Sequence, residues 1–331
     1  MSRGSHSRSR MRFLVTLAVL VLGCTGADRE GALENVVFEP ATITLEGDLR
    51  LLPRDLPKGL TTLRFGVTPY LSQEVIRRQF EPVAVYASRH LGMKVELDIS
   101  RSYEEQVRRV VAGELDIVLL PPLSYIMAKR GSPKLQVVAQ ELARGNTTFS
   151  SYIVVPADSS FMTLADLKNR RMVFVDEFST SGFLFPYSVF LNNGIDPEKD
   201  FSQVRFAGSH LQAIAELSLG SADAITIGSG MLAEAAKHKF SSGPIDPAEF
   251  RILFKAGRIP FDGICVRDGF PASGVRKIQE TFIRLNTRTP PGRRVLSRTA
   301  QINGFIPVTD EAYGVVREIL KQVEEHRGKN R

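Results

Sequence analysis

The sequence predicts an α/β protein built as a hinged clamp of two lobes. Three observations carry this. Short apolar strands alternate with helix-length segments, which indicates βαβ units and parallel sheet. The same pattern restarts near residue 150, and the chain after residue 266 reads as helices alone, so it must pack back on what came before.

The first unit opens at 63–67, a strand. Ser72 is a candidate N-cap for a helix to about residue 90, with Gly92 past its end. Residues 94–99 alternate as a strand, 103–112 have helical spacing, 116–120 form an apolar strand, and 135–142 close the unit. The second unit has strands at 151–156, 172–175, 203–206 and 222–227. Helices are expected at 164–168, 181–193 and 211–219, the last two ending at Gly194 and Gly220. Strands at 250–255 and 263–266 precede helices near 271–286, 290–299 and 309–325. Two chain crossings, near 145–150 and 255–260, then connect the lobes and leave a cleft between them, a common place for a ligand. The expected boundaries are a leader at 1–23, a tether and extended segment at 24–61 outside the main fold, a first lobe at 62–147 and 257–331, and a second lobe at 148–256.

The leader sets the compartment. Arg3, Arg8, Arg10 and Arg12, with no acid among them, precede an apolar run at 13–22 broken only by Thr16. A basic region, an apolar region and a small residue in that order make a secretory signal. The run is about half the roughly 20 residues that span a bilayer. Its ending, Val21-Leu22-Gly23-Cys24, resembles a bacterial lipobox, which implies cleavage before Cys24, lipidation of its thiol and anchoring on the extracytoplasmic side. Cys265 then has no intramolecular partner and reads as a buried thiol in an apolar strand. Removing the four leader arginines lowers the net charge from +7 to +3. With no block of five like charges, nucleic-acid binding has no compositional support, and the surplus is compatible with an anionic ligand.

The most informative segment is Asp176-Glu177-Phe178-Ser179-Thr180-Ser181-Gly182, between a strand and a helix at the carboxyl end of the strand. Open α/β sheets bind ligands at such positions. Ser179, Thr180 and Ser181 with a following Gly offer hydroxyls, bare N–H groups and a helix terminus together, the donors a tetrahedral oxyanion needs. Ser and Thr at helix starts also serve as plain caps; one hydroxyl satisfies a cap, and three exceed it. His210 opens the helix after strand 203–206 and can donate to an anion. Tyr70, Ser124 and Tyr125 follow the first and third strands, positions that suit either ligand contact or half-buried packing. Asp262 lies at the second crossing, placed to bind a substrate amine or the hinge backbone. There is no P-loop, dinucleotide loop, metal-spaced Cys/His set or Gly-x-Ser-x-Gly elbow, so no cofactor or metal is expected.

The string from Asp176 to Pro186, continued by Asn193-Gly194-Ile195-Asp196-Pro197, resembles the signature of phosphate/phosphite/phosphonate-binding proteins of ABC importers. Asp116-Ile117, Leu123-Ser124-Tyr125, Gly208-Ser209-His210, Ala222-Asp223-Ala224 and Ile259-Pro260 extend the likeness, in order, over about 62–325. The resemblance implies a type II periplasmic-binding fold, each lobe a mixed, mostly parallel sheet flanked by helices. It also implies Ser179, Thr180, Ser181, His210 and Tyr70 around an oxyanion, and a monomer that delivers its ligand to permease subunits. Leu120-Pro121-Pro122 departs from the aromatic-Gly or Gly-Pro pair of many relatives. A sensor presenting its ligand to a membrane histidine kinase needs the same clamp. A cofactor-biosynthesis enzyme on this fold is cytoplasmic, and the export signal opposes it.

Overall fold

A computed structural model describes residues 48–240, 243–299 and 301–329. The signal and lipobox, with Cys24, lie outside the described residues.

Residues 48–61 correct an expectation, because they pack on the first lobe. Leu49 and Leu51 are buried, and Leu51 N–H donates to the Leu91 carbonyl at 2.8 Å. Asp55, 1% exposed, accepts from Lys277 Nζ at 2.7 Å and from Leu52 N–H at 2.9 Å. That ion pair holds the Asp55 carboxyl well below its usual range. An extended segment pinned by one buried ion pair carries no periodicity, so the sequence gives no sign of it.

The first lobe runs β1 (Thr62–Val67), α1 (Gln73–Leu91), β2 (Lys94–Ile99), α2 (Tyr103–Val111), β3 (Ile117–Leu120), α3 (Pro122–Gly131) and β4 (Gln136–Ala143). Ser72 caps α1 by accepting from Val75 N–H, and Gly92 ends it at φ 67°, a left-handed conformation that costs glycine little. The sequence reading assigned no element to α3. Pro122 occupies its first position, where a missing N–H is harmless.

The second lobe holds β5 (Thr148–Pro156), β6 (Arg171–Phe174), a π-turn (Thr180–Leu184) leading into α4 (Phe185–Asn192), β7 (Gln203–Phe206), α5 (His210–Ser218) and β8 (Ala224–Gly228). It continues through α6 (Met231–Ala235), the short pair β9 (Lys239–Phe240) and β10 (Gly243–Pro244), and β11 (Phe250–Pro260). The chain then adds β12 (Gly263–Val266), α7 (Ala272–Arg284), α8 (Pro290–Leu296), β13 (Ile302–Pro307) and α9 (Gly314–Lys329).

Six strands order as β13-β4-β12-β3-β1-β2 and five as β11-β5-β8-β6-β7, so the fold is the two-sheet α/β clamp expected. The sheets are mixed rather than mostly parallel, because the crossing strands β4, β5, β11, β12 and β13 all pair antiparallel. The chain leaves the first sheet between β4 and β5. It returns at Phe261-Asp262, a few residues later than the sequence suggested, because β11 runs on to Pro260. The two parallel halves share one device. Asp116 accepts from Arg64 N–H at 2.8 Å, and Asp223 from Arg171 N–H at 2.8 Å, each carboxylate also holding an arginine side chain. Asp223 is therefore a strand clamp rather than a free turn residue.

Two expectations about the tail change. β13 interrupts the helices and pairs with β4 at the sheet edge, where its Gly304 and Pro307 are tolerated. And α9 touches both lobes: Arg130 of α3 pairs with Glu324, while Gln322 donates to Asn192 of α4 at 2.6 Å. No described helix is long and apolar enough to cross a membrane.

Candidate functional site

The sheets meet at a cavity of about 100 Å³ lined by both lobes. Drug-sized ligands occupy roughly 300–1,000 Å³, so this space suits a ligand of a few heavy atoms.

The 179–182 loop builds the wall of the second lobe. Ser179 is extended, and its Oγ accepts from Gly182 N–H at 3.0 Å, a cap within the turn. The helix starts as a π-turn, with Leu184 N–H donating to the Ser179 carbonyl at 3.1 Å. The N–H groups of Thr180 and Ser181 open the turn without an intrahelical partner, and both residues line the cavity. Gly182 is dictated by close approach, since a Cβ there would stand 2.4 Å from Val175 Cβ. The loop is locked from three strands. Gly182 O accepts from Val175 N–H at 3.0 Å and from Thr226 Oγ1 at 2.6 Å; Ser181 O accepts from Ser151 Oγ at 2.5 Å. These bonds occupy the Ser181 and Gly182 carbonyls. Ser181 is 4% exposed, and its Oγ has no protein partner among the described residues.

His210 lines the same wall and is 6% exposed. Its Nδ1 accepts from Gly228 N–H at 3.3 Å, so the proton of the neutral ring sits on Nε2. Burial pushes the imidazole pKa down to about 4, which keeps the ring a neutral donor. Gly228 lets the wall close on the hydroxyls: a Cβ there would lie 3.1 Å from Ser181 Oγ.

The first lobe and hinge face this donor set with Tyr70, Tyr103, Glu141 and Asp262. Burial raises the pKa of both carboxyls, and Asp262 raises Glu141 further by charge repulsion. Neither carboxylate has a hydrogen-bond partner among the described residues, although Glu141 N–H donates to the Asp262 carbonyl at 3.0 Å. Phe149 and Phe261, stacked at 5.0 Å, supply an apolar side. The cavity is thus polarised, with uncharged donors at one end and two acids at the other.

The structure gathers six of the sequence-predicted residues at this cavity: Tyr70, Ser179, Thr180, Ser181, His210 and Asp262. Ser124 and Tyr125 are not among its lining residues, which corrects their expected role. Ser124 Oγ donates to the Phe178 carbonyl at 3.0 Å, and Tyr125, 1% exposed, donates to Asp310 beneath α3. Ser124 therefore bridges the two lobes beside the cavity, while Tyr125 is buried beneath α3 against Asp310. Thr180 lines the cavity, and its Oγ1 also accepts from Leu123 N–H at 2.8 Å, which leaves its O–H as a donor. Sequence reasoning missed Glu141, Tyr103 and Gly228. Glu141 lies in a strand of otherwise mostly apolar residues, and an acid in such a strand was the available signal.

Residues 65–313 match the family described as "ABC transporter, phosphonate, periplasmic substrate-binding protein". A phosphate-import protein, PhnD, of Mycolicibacterium smegmatis is 23% identical, over 92% of each chain. The phosphonates-binding periplasmic protein of Escherichia coli is 29% identical, over 75% of this chain and 73% of its own. Among solved structures, PhnD1 of Prochlorococcus marinus in complex with methylphosphonate superposes with a TM-score of 0.71 at 21% identity, covering 80% of this chain and 98% of its own. The fold, the inward-facing donor loop and the family match over three quarters of the sequence agree: this chain belongs to the phosphonate-type periplasmic substrate-binding proteins of ABC importers, and is a binding protein rather than an enzyme.

Proposed function

We propose that the cavity captures a compact phosphorus oxyanion, a phosphonate, phosphite or phosphate, for transfer to permease subunits. The observation that carries this reading is the polarised cavity. Ser181 Oγ, the first N–H groups of the π-turn and His210 Nε2–H supply donors for the anionic oxygens. The helix terminus adds favourable potential without a formal charge. Asp262 and Glu141 favour a ligand whose far end gives up a hydrogen, either a P–OH or a short ammonium group. The small volume favours the compact members of the class. The relatives' names point the same way, one to phosphate and one to methylphosphonate.

Calorimetric titration with phosphate, phosphite, methylphosphonate, 2-aminoethylphosphonate and sulfate tests this. At least one phosphorus oxyanion should bind at micromolar affinity or tighter. Sulfate, with no proton to give at neutral pH, should bind at least about tenfold more weakly, because its oxygens would face unpaired carboxylates. Binding of sulfate as tight as any phosphorus ligand overturns the reading.

The anchor belongs to the same proposal: Cys24 becomes the lipidated N-terminus of a monomeric binding protein held at the extracytoplasmic membrane face. Cys24→Ala should leave the chain unprocessed or release it from the membrane fraction. Unchanged partitioning with a mature N-terminus elsewhere refutes it.

A further inference from the structure

We propose that the groove between α1 and α8, remote from the ligand cavity, is a docking surface for an anionic phospholipid membrane. The groove encloses about 900 Å³ and shares no lining residue with the ligand site. Its rim is arginine: Arg77, Arg78 and Arg89 from α1, with Arg294 and Arg298 from α8 and the turn that follows it. Glu81 is the one acid among its lining residues. Arg77 lies 3.8 Å from Glu81, and Arg78 pairs with Glu74 at 2.7 Å. Arg89, Arg294 and Arg298 are exposed and have no carboxylate partner among the described residues. A run of exposed, uncompensated guanidiniums calls for a polyanion.

The floor narrows the choice of polyanion. Pro82, Val85, Pro291 and Val295 lie between the arginines, and Val85 is 42% exposed. A free inorganic anion gains nothing from an apolar floor. A phospholipid surface does, because its phosphates meet the guanidiniums while the glycerol and first methylenes cover the floor. Location adds a second reason. Leu51 N–H donates to the Leu91 carbonyl, so the described chain begins beside the end of α1 that carries Arg89 and His90. Cys24 is 24 residues before Asp48, at most roughly 80 Å of extended chain. Lipidation there would add proximity, but the arginine rim is present without it.

The test is flotation of the full chain carrying Cys24→Ala, so that no acyl anchor contributes, with phosphatidylcholine vesicles and with mixed phosphatidylcholine–phosphatidylglycerol vesicles. The comparison variant adds Arg89→Gln, Arg294→Gln and Arg298→Gln together. Gln keeps much of each stem and removes the charge. The Cys24→Ala chain should bind the anionic vesicles better, and the difference should shrink as salt shortens the Debye length. The variant should bind anionic vesicles at least about tenfold more weakly, with an unchanged melting temperature and unchanged titration of methylphosphonate and phosphate. Equal binding to both vesicle types, or a variant that binds anionic vesicles as well as the Cys24→Ala chain, overturns the proposal. If poly-glutamate binds the Cys24→Ala chain and not the variant while vesicles are ignored, the groove is an acidic-peptide site and the lipid assignment fails.

Discussion

Thr180 of the second lobe caps a helix of the first: its Oγ1 accepts from Leu123 N–H at 2.8 Å across the cleft. Helix α3 has no side-chain cap of its own, because Pro121 stands at the cap position. The N–H of Leu123, its second residue, is one of the orphan donors of a helix start; Thr180 satisfies it when the lobes are together, and water does when they part. Ser124 Oγ to Phe178 O and His210 N–H to Tyr70 O, at 3.1 Å, cross the cleft beside it. A residue of the anion loop therefore also reports lobe closure.

Thr180→Val keeps the shape of the side chain and removes the acceptor. A lost hydrogen bond that strands a buried N–H costs about 1–3 kcal/mol. That cost falls only on the closed state, so binding should weaken by about one decade. The radius of gyration by solution scattering should stay larger at subsaturating ligand than in wild type at the same concentration. A variant that closes as readily as wild type excludes the latch.

Ser179 and Ser181 separate capping from binding. Ser181→Ala should weaken oxyanion binding by about one to two decades, since a charge-assisted hydrogen bond contributes roughly 1.5–3 kcal/mol, and leave apo melting nearly unchanged. Ser179→Ala removes the acceptor for Gly182 N–H and should cost about 1 kcal/mol of apo stability. Calorimetric titration and apo melting on both variants decide; equal stability losses with unaltered affinity would leave only caps.

His210 should act as a neutral donor. With its pKa lowered to about 4 by burial, it stays uncharged between pH 5.5 and 8 in the unliganded protein. Affinity, corrected for ionisation of the ligand, should carry no imidazole titration there, and His210→Ala should lower it by a similar factor throughout. A rise in wild-type affinity as pH falls through 6–7, absent from His210→Ala, would make the ring a cation instead.

Glu141 and Asp262 should make the empty protein less stable as pH rises. Carboxyls whose folded-state pKa is raised bind protons more tightly when folded. Their penalty is absent below the unfolded carboxylate range near 4 and grows until the pH passes the folded values. For Asp262 the window reaches about pH 7. Asp262→Asn should therefore raise apo stability at pH 8 by about 1–3 kcal/mol, with the gain vanishing near pH 4. It should also erode any preference for phosphorus oxyanions over sulfate. Chemical denaturation across pH, with the same titration series, checks both; a pH-independent gain points to packing alone.

The clamp was legible because alternation of strand and helix is a local pattern, and Ser72, Gly92, Gly194 and Gly220 punctuate it. The donor loop was legible for the same reason, since three hydroxyls and a glycine at a strand's end form one continuous string. What a hydroxyl faces is a different matter. Thr180 and Ser181 are adjacent, chemically alike and both line the cavity, yet only Thr180 is held by an N–H of the opposite lobe, that of Leu123. Pro122 starts a helix that buries Tyr125 against Asp310 and commits Ser124 to the Phe178 carbonyl across the cleft. Glu141 and Asp262, far apart in sequence, meet only because β4 and the return crossing lie side by side. The sequence by itself determined most of the elements, though not α3 or β13, and the donor string, since these follow from short-range periodicity and spacing. The tertiary structure decided which donors remain unpaired and which charges share a cavity, because hydrogen-bond partners and desolvation are set by the packing of segments distant along the chain.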